Sequence, residues 1–107
     1  MKIGIILNSN KPETVWNAFR FGNEALSKNH TVKVFLLGEG VEIEDVKDDR
    51  FPLIQGAIKK FIKNNGIILA CEACLKIRQK EISVYPLSAM GEMLQLVEDS
   101  DKVLTFG

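Results

Sequence analysis

Short runs of branched aliphatic residues alternate with stretches of helical apolar spacing along the chain, and that alternation leaves few folds open. Ile3 to Leu7 is a compact apolar run closed by the polar turn Asn8-Ser9-Asn10, as expected of a buried strand. Asn10 and Glu13 then form a capping pair with Pro12 in the first turn. Val15, Ala18, Phe19, Gly22 and Leu26 follow at helical spacing. Thr31 to Leu37 is a second strand, apolar enough for burial on both faces, as in a parallel sheet. The acidic stretch Glu39 to Asp49 reads as a loop.

A second helix is expected from Pro52. Ile54, Ala57, Ile58, Phe61 and Ile62 share one face, and Asn64-Asn65-Gly66 closes it with residues that tolerate a left-handed backbone. Strand three is Ile67 to Ala70, followed by a short helix carrying Leu75, Ile77 and Arg78. A strand near Ile82 to Tyr85 comes next. Ser88 then caps a fourth helix with Met90, Met93, Leu94 and Val97 inward, and Lys102 to Phe106 is the fifth strand. The order βαβαβαβαβ, with right-handed crossovers and helices on both faces, specifies a three-layer α/β/α sandwich around a five-stranded, mainly parallel sheet. With 107 residues, 46% of them hydrophobic, one domain spanning 1–107 is expected.

Fourteen basic and fourteen acidic residues cancel, so no net field draws the chain to nucleic acid or an anionic membrane. The apolar opening is too short for a signal peptide or a membrane span, and a cytoplasmic location is expected. A reducing compartment keeps thiols available, which makes a permanent disulfide the less expected use of the two cysteines, Cys71 and Cys74.

Those cysteines are three apart at the turn from strand three into the next helix. Unpaired N–H groups and a positive dipole end favour a thiolate there. Because functional residues of open parallel sheets gather at the carboxyl ends of strands, Asn8, Ser9 and Asn10, Gly38 and Gly40, and the Cys71-Glu72-Ala73-Cys74 turn should line one edge. Ordinary turn chemistry explains the first two segments equally well.

Three other chemistries compete. The first loop lacks the Ser, Thr and Gly run that wraps a flavin or nucleotide phosphate, and neither GxxxxGK[ST] nor GxGxxG occurs. Zinc would need more than one CxxC, and His30, the sole histidine, falls at the opposite edge as a surface turn residue. Thiol–disulfide exchange suits CxxC chemically, but thioredoxin-like folds place the motif after an early strand. Pro86 is expected in the trans form. Trp16, on the polar side of the first helix beside Arg20 and Asn23, and Phe51 are candidate oligomer contacts.

The opening Lys2-Ile3-Gly4-Ile5-Ile6-Leu7-Asn8, the Phe35-Leu36-Leu37-Gly38-Glu39-Gly40-Val41 turn, the segment from Ile68 through Cys71 and Cys74 to Arg78, and Asp101 to Phe106 together resemble the DsrE/DsrF-like family. The resemblance implies a small α/β domain assembled as a homo-oligomer, a trimer or hexamer. It also implies transfer of persulfide sulfur between donor and acceptor proteins, with no cofactor and no metal. The working cysteine of the family's sulfur carriers follows the third strand, the position of Cys71. Those carriers commonly continue with small residues and paired arginines before a glycine, whereas this chain has Cys74, Lys76, Arg78 and then Gln79. On this resemblance Cys71 takes the sulfur as the more acidic thiol and Cys74 resolves or stabilises the persulfide. Glu72 faces solvent, and Lys76 and Arg78 offset its charge. A non-catalytic assembly or binding module, and a redox protein using the CxxC pair, are the alternatives.

Overall fold

The computed structural model describes residues 1–51, 53–80 and 84–107. Five strands form one sheet in the order β4-β3-β2-β1-β5, and every neighbouring pair is parallel. The strands are β1 (Lys2–Leu7), β2 (Thr31–Leu36), β3 (Ile67–Cys71), β4 (Leu87–Ser88) and β5 (Lys102–Phe106). The helices are α1 (Pro12–Ser27), α2 (Ile54–Lys63), α3 (Glu72–Ile77) and α4 (Met90–Asp99).

The sides of β1 show how the layers are arranged. Successive strand residues point to opposite faces. Ile5 lies under Gly22 of α1, where Phe61 of α2 also packs, so α1 and α2 cover that face. Gly4 points the other way, and a Cβ there would overlap Leu96 and crowd Ser100 at the inner side of α4. The missing side chain is what lets α4 approach β1. The core between sheet, α1 and α2 includes Ile5, Leu7, Phe19, Val34, Leu36, Ile58 and Phe61.

The expected inner faces of α1 and α2 are largely confirmed. Val15, Ala18, Phe19 and Gly22 of α1 and Ile54, Ile58 and Phe61 of α2 are buried, whereas Ile62 is exposed. Asn65 takes the left-handed conformation, φ 72°, at the end of α2. The α1 cap differs: Lys11 is the N-cap residue with no side-chain bond, and its own N–H donates to Ser9 Oγ at 3.0 Å. The expected Pro52 start of α2 lies outside the described residues.

Three further expectations are corrected. The acidic stretch is not an open loop: Gly38–Asp45 winds into a 3-10 segment, because Val41 and Ile43 have to be buried. Gln55 of α2 fastens it, donating to the Ile43 and Val46 carbonyls at 2.9 and 3.0 Å. The fourth strand is Leu87–Ser88; Ile82 lies outside the described residues, and Val84 and Tyr85 form a bend. Ser88 is thus a buried strand residue and not a cap. Ala89 takes the cap position of α4, its N–H donating to Glu92 Oε2 at 2.9 Å.

The inward side of α4 is also rotated from the expected one. Leu96 is buried and Met93 packs against the core, while Met90, Leu94 and Val97 are exposed. Trp16 and Phe51 are half-buried and stack on each other, ring centroids 5.0 Å apart, with the Arg20 guanidinium 4.2 Å from the Trp16 ring. They join α1 to the segment before α2 within the chain. Pro86 is trans, as expected.

Candidate functional site

Strand β3 ends at Cys71, which is 2% exposed and serves as the N-cap of α3. Its Sγ accepts the Cys74 N–H at 3.4 Å, so the two cysteines are linked across the first turn. Cys74 is half-buried, and both thiols are free. The Cys74 Sγ accepts a hydrogen bond from outside α3, the Gly38 N–H at 3.3 Å.

That donor depends on the turn after β2. Leu37 donates to the Leu7 carbonyl at 2.9 Å, bringing the turn beside the end of β1. Gly38 has φ 55°, a left-handed conformation that favours glycine, and a Cβ there would overlap Asn8 Oδ1. Gly40 is equally constrained, because any side chain would run into the Leu7 carbonyl oxygen. Asn8, Gly38, Cys71 and Cys74 therefore form one chain of neighbours along the carboxyl edge of β1, β2 and β3. Ser9 and Asn10 share that edge but are occupied elsewhere. Ser9 is buried, caps the Lys11 N–H and lies beside Gly107, and Asn10 is half-buried in the turn into α1.

The charged residues do not face the sulfurs. Lys76 pairs with Glu72 at 3.0 Å one turn away, so it does offset that carboxylate. Arg78 Nε donates to Glu42 Oε1 at 3.2 Å and its Nη1 to the Cys74 carbonyl at 3.1 Å. It clamps the last turn of α3 to the 3-10 segment rather than serving as a cation for a thiolate. Lys80 makes a second tie between these parts, to Asp45 at 2.6 Å. Glu42 and Asp45 were not distinguishable in the sequence, where they sit in an acidic stretch without visible spacing. Their partners are 36 and 35 residues away.

Burial works against the acidity expected of Cys71. Burial, and after it the Cys74 side chain, push the Cys71 thiol above its ordinary value, and the Cys74 N–H only partly offsets them. A helix of six residues presents a weak terminus, and the strand that delivers Cys71 also removes it from water.

Among the described residues no three His, Cys, Asp or Glu side chains gather as a metal set. A concavity of about 790 Å³ lies away from the cysteines between the outer faces of α1 and α2, lined by residues including Trp16, Arg20, Asn23, Gly56 and Lys60. No helix is long and apolar enough among the described residues to cross a membrane.

Comparison with known proteins agrees with this architecture. The model of the DsrE/DsrF-like family matches residues 1–106. An uncharacterized protein of Methanocaldococcus jannaschii is 28% identical over 100 residues, covering 88% of each chain. Another, from Methanopyrus kandleri, is 28% identical over 100 residues, covering 88% of this chain and 83% of that one. The crystal structure of the ychN protein from E. coli superposes with a TM-score of 0.85 at 23% identity, covering 99% of both chains. At that identity the likeness concerns the fold.

Proposed function

The chain belongs to the DsrE/DsrF-like family, and from that premise we propose that it is a sulfur carrier whose Cys71–Cys74 pair accepts, holds and passes on persulfide sulfur. The observation that carries this reading is the pair itself: two free thiols one turn apart, with the Cys74 N–H on Cys71 Sγ at 3.4 Å, at the carboxyl edge of a parallel sheet.

A thiolate of the pair attacks the outer sulfur of a donor persulfide. A new S–S bond forms, the donor's S–S bond breaks, and the donor leaves as a thiolate. An acceptor thiolate then takes the outer sulfur in the same way. If none arrives, the second thiol of the pair attacks the inner sulfur, forming the Cys71–Cys74 disulfide and expelling the outer sulfur as hydrosulfide. Two thiol sulfurs are oxidised and the transferred sulfur is reduced, and an external thiol resets the pair. No acid–base residue beyond the thiols takes part. Donor and acceptor are proteins of the cytoplasm, and the carrier works as a homo-oligomer, a trimer or hexamer.

Intact-mass measurement after exposing the reduced chain to a cysteine desulfurase and cysteine tests the reading. The expected product carries one added sulfur atom per chain, removable by a reducing thiol and absent from the double variant Cys71→Ser/Cys74→Ser. A wild-type chain that neither gains sulfur nor releases hydrosulfide overturns the carrier function and favours an assembly module. A chain that reaches the disulfide with no sulfur gained and no hydrosulfide released favours thiol–disulfide exchange.

A further inference from the structure

The two thiols are not equivalent, and their difference runs opposite to the order implied by position alone. Cys71 closes β3 with 2% of its surface exposed, so an incoming persulfide has almost no access to its sulfur. Cys74 is half-buried, one turn into α3, and its Sγ accepts a hydrogen bond from outside α3, the Gly38 amide at 3.3 Å, which has no counterpart on Cys71 among the described residues. That amide belongs to a turn only a glycine fits well, held at φ 55° against Asn8 and tied to β1 through Leu37. An N–H donor fixed beforehand on a sulfur atom stabilises negative charge there more than on the neutral thiol.

We propose that Cys74 is the thiol that accepts the sulfane sulfur, that the Gly38 amide holds the negative charge of its sulfur, and that Cys71 is the resolving thiol beneath it. The proposal rests on the persulfide reading above and assigns its steps. The Cys74 thiolate attacks the outer sulfur of the donor persulfide and becomes Cys74–S–SH, and the donor leaves as a thiolate. Cys71 next loses its proton to solvent and attacks the Cys74 inner sulfur. This forms the disulfide and releases hydrosulfide, in competition with transfer to an acceptor. The buried position of Cys71 slows that second step and lengthens the life of the loaded carrier.

Single variants separate the roles. With Cys71→Ser, Cys74 should alkylate with iodoacetamide at neutral pH on the order of tenfold faster than Cys71 does in Cys74→Ser. Exposure to the desulfurase should load sulfur onto Cys71→Ser, which cannot form the disulfide and should keep it longer than the wild type, and leave Cys74→Ser unloaded. Circular dichroism of both variants checks that the fold is retained. A Cys71 thiol that reacts as fast or faster overturns the assignment. Sulfur on the wild type and on Cys74→Ser but not on Cys71→Ser overturns this proposal alone. No sulfur on the wild-type chain or on either variant, with no hydrosulfide released, overturns the persulfide reading and the proposal with it.

Discussion

Burial sets the chemistry of two side chains, Cys71 at the carboxyl end of β3 and Tyr85 just before β4, and it acts on both in the same direction. Cys71 is held neutral beneath the α3 turn, and the Tyr85 phenol is pushed up to about 12, first by burial and then by the charge of Glu44. A folded-state value above the unfolded one means that the folded chain keeps its proton longer. The resulting stability is complete below the ordinary phenol value, about 10, and is lost as pH rises toward about 12. Cys71 adds a loss of the same sign starting above the ordinary thiol value. Tyr85 is the only tyrosine, so tyrosinate absorbance reports it alone. In an alkaline titration that absorbance should appear with a midpoint near 12 while the chain stays folded, and near 10 in denaturant. A native midpoint at the denatured value would show that the phenol is open to water.

Between elements, α4 packs closely on β1, where Gly4 takes Leu96 and Ser100 into the space a side chain would fill. Gly4→Ala should therefore destabilise the chain by about 1–3 kcal/mol, because the Leu96 side chain or the whole of α4 has to shift. Denaturant unfolding measures it, and a change within a few tenths of a kcal/mol would mean that α4 moves freely. This contact also explains which parts of the fold were legible beforehand. Strands and the faces of α1 and α2 follow from apolar spacing, which is a local property. The inward side of α4 is decided by a gap in β1, 92 positions before Leu96, so its own pattern pointed to Met90, Leu94 and Val97. The 3-10 segment was hidden for a similar reason: Val41 and Ile43 are too few to show a period, and Gln55 and Arg78 hold the segment from outside. In the candidate site, the cysteines and the glycine turn were visible as residues. The hydrogen bond from Gly38 to Cys74, and the burial that separates the two thiols, arise only when β2 and β3 lie side by side.

Considered as a whole, the sheet is covered unequally. Its register sets Val103, Gly4, Lys33 and Ile67 in one row and Thr105, Ile6, Phe35 and Leu69 in the next, all on the face that carries α4. In-register neighbours of a parallel sheet point the same way, so one ten-residue helix has to cover both rows. It covers the centre: Ile6 and Phe35 are buried, but Ile67 and Val103 at the flanks are exposed. Met90, Leu94 and Val97 then continue this apolar surface along the side of α4, with Leu94 60% exposed. An apolar area of this extent, spread over a helix and two flanking strands, is what a subunit contact buries. The exposed residues of α4 carry the test, since Trp16 and Phe51 also stack on each other within one chain. Light scattering should give a concentration-independent mass of three or six times the 12.0 kDa chain. The double variant Leu94→Glu/Val97→Glu should fall to a single-chain mass. Because both positions are exposed within the chain, it should change the stability of the separated subunit by only about 0.5 kcal/mol per site. Trp16→Ala should leave the mass unchanged and cost about 2 kcal/mol of stability through the lost Phe51 and Arg20 contacts. A wild-type mass near one chain would remove the oligomer from the proposal, and a variant that unfolds instead of dissociating would place Leu94 and Val97 in the core.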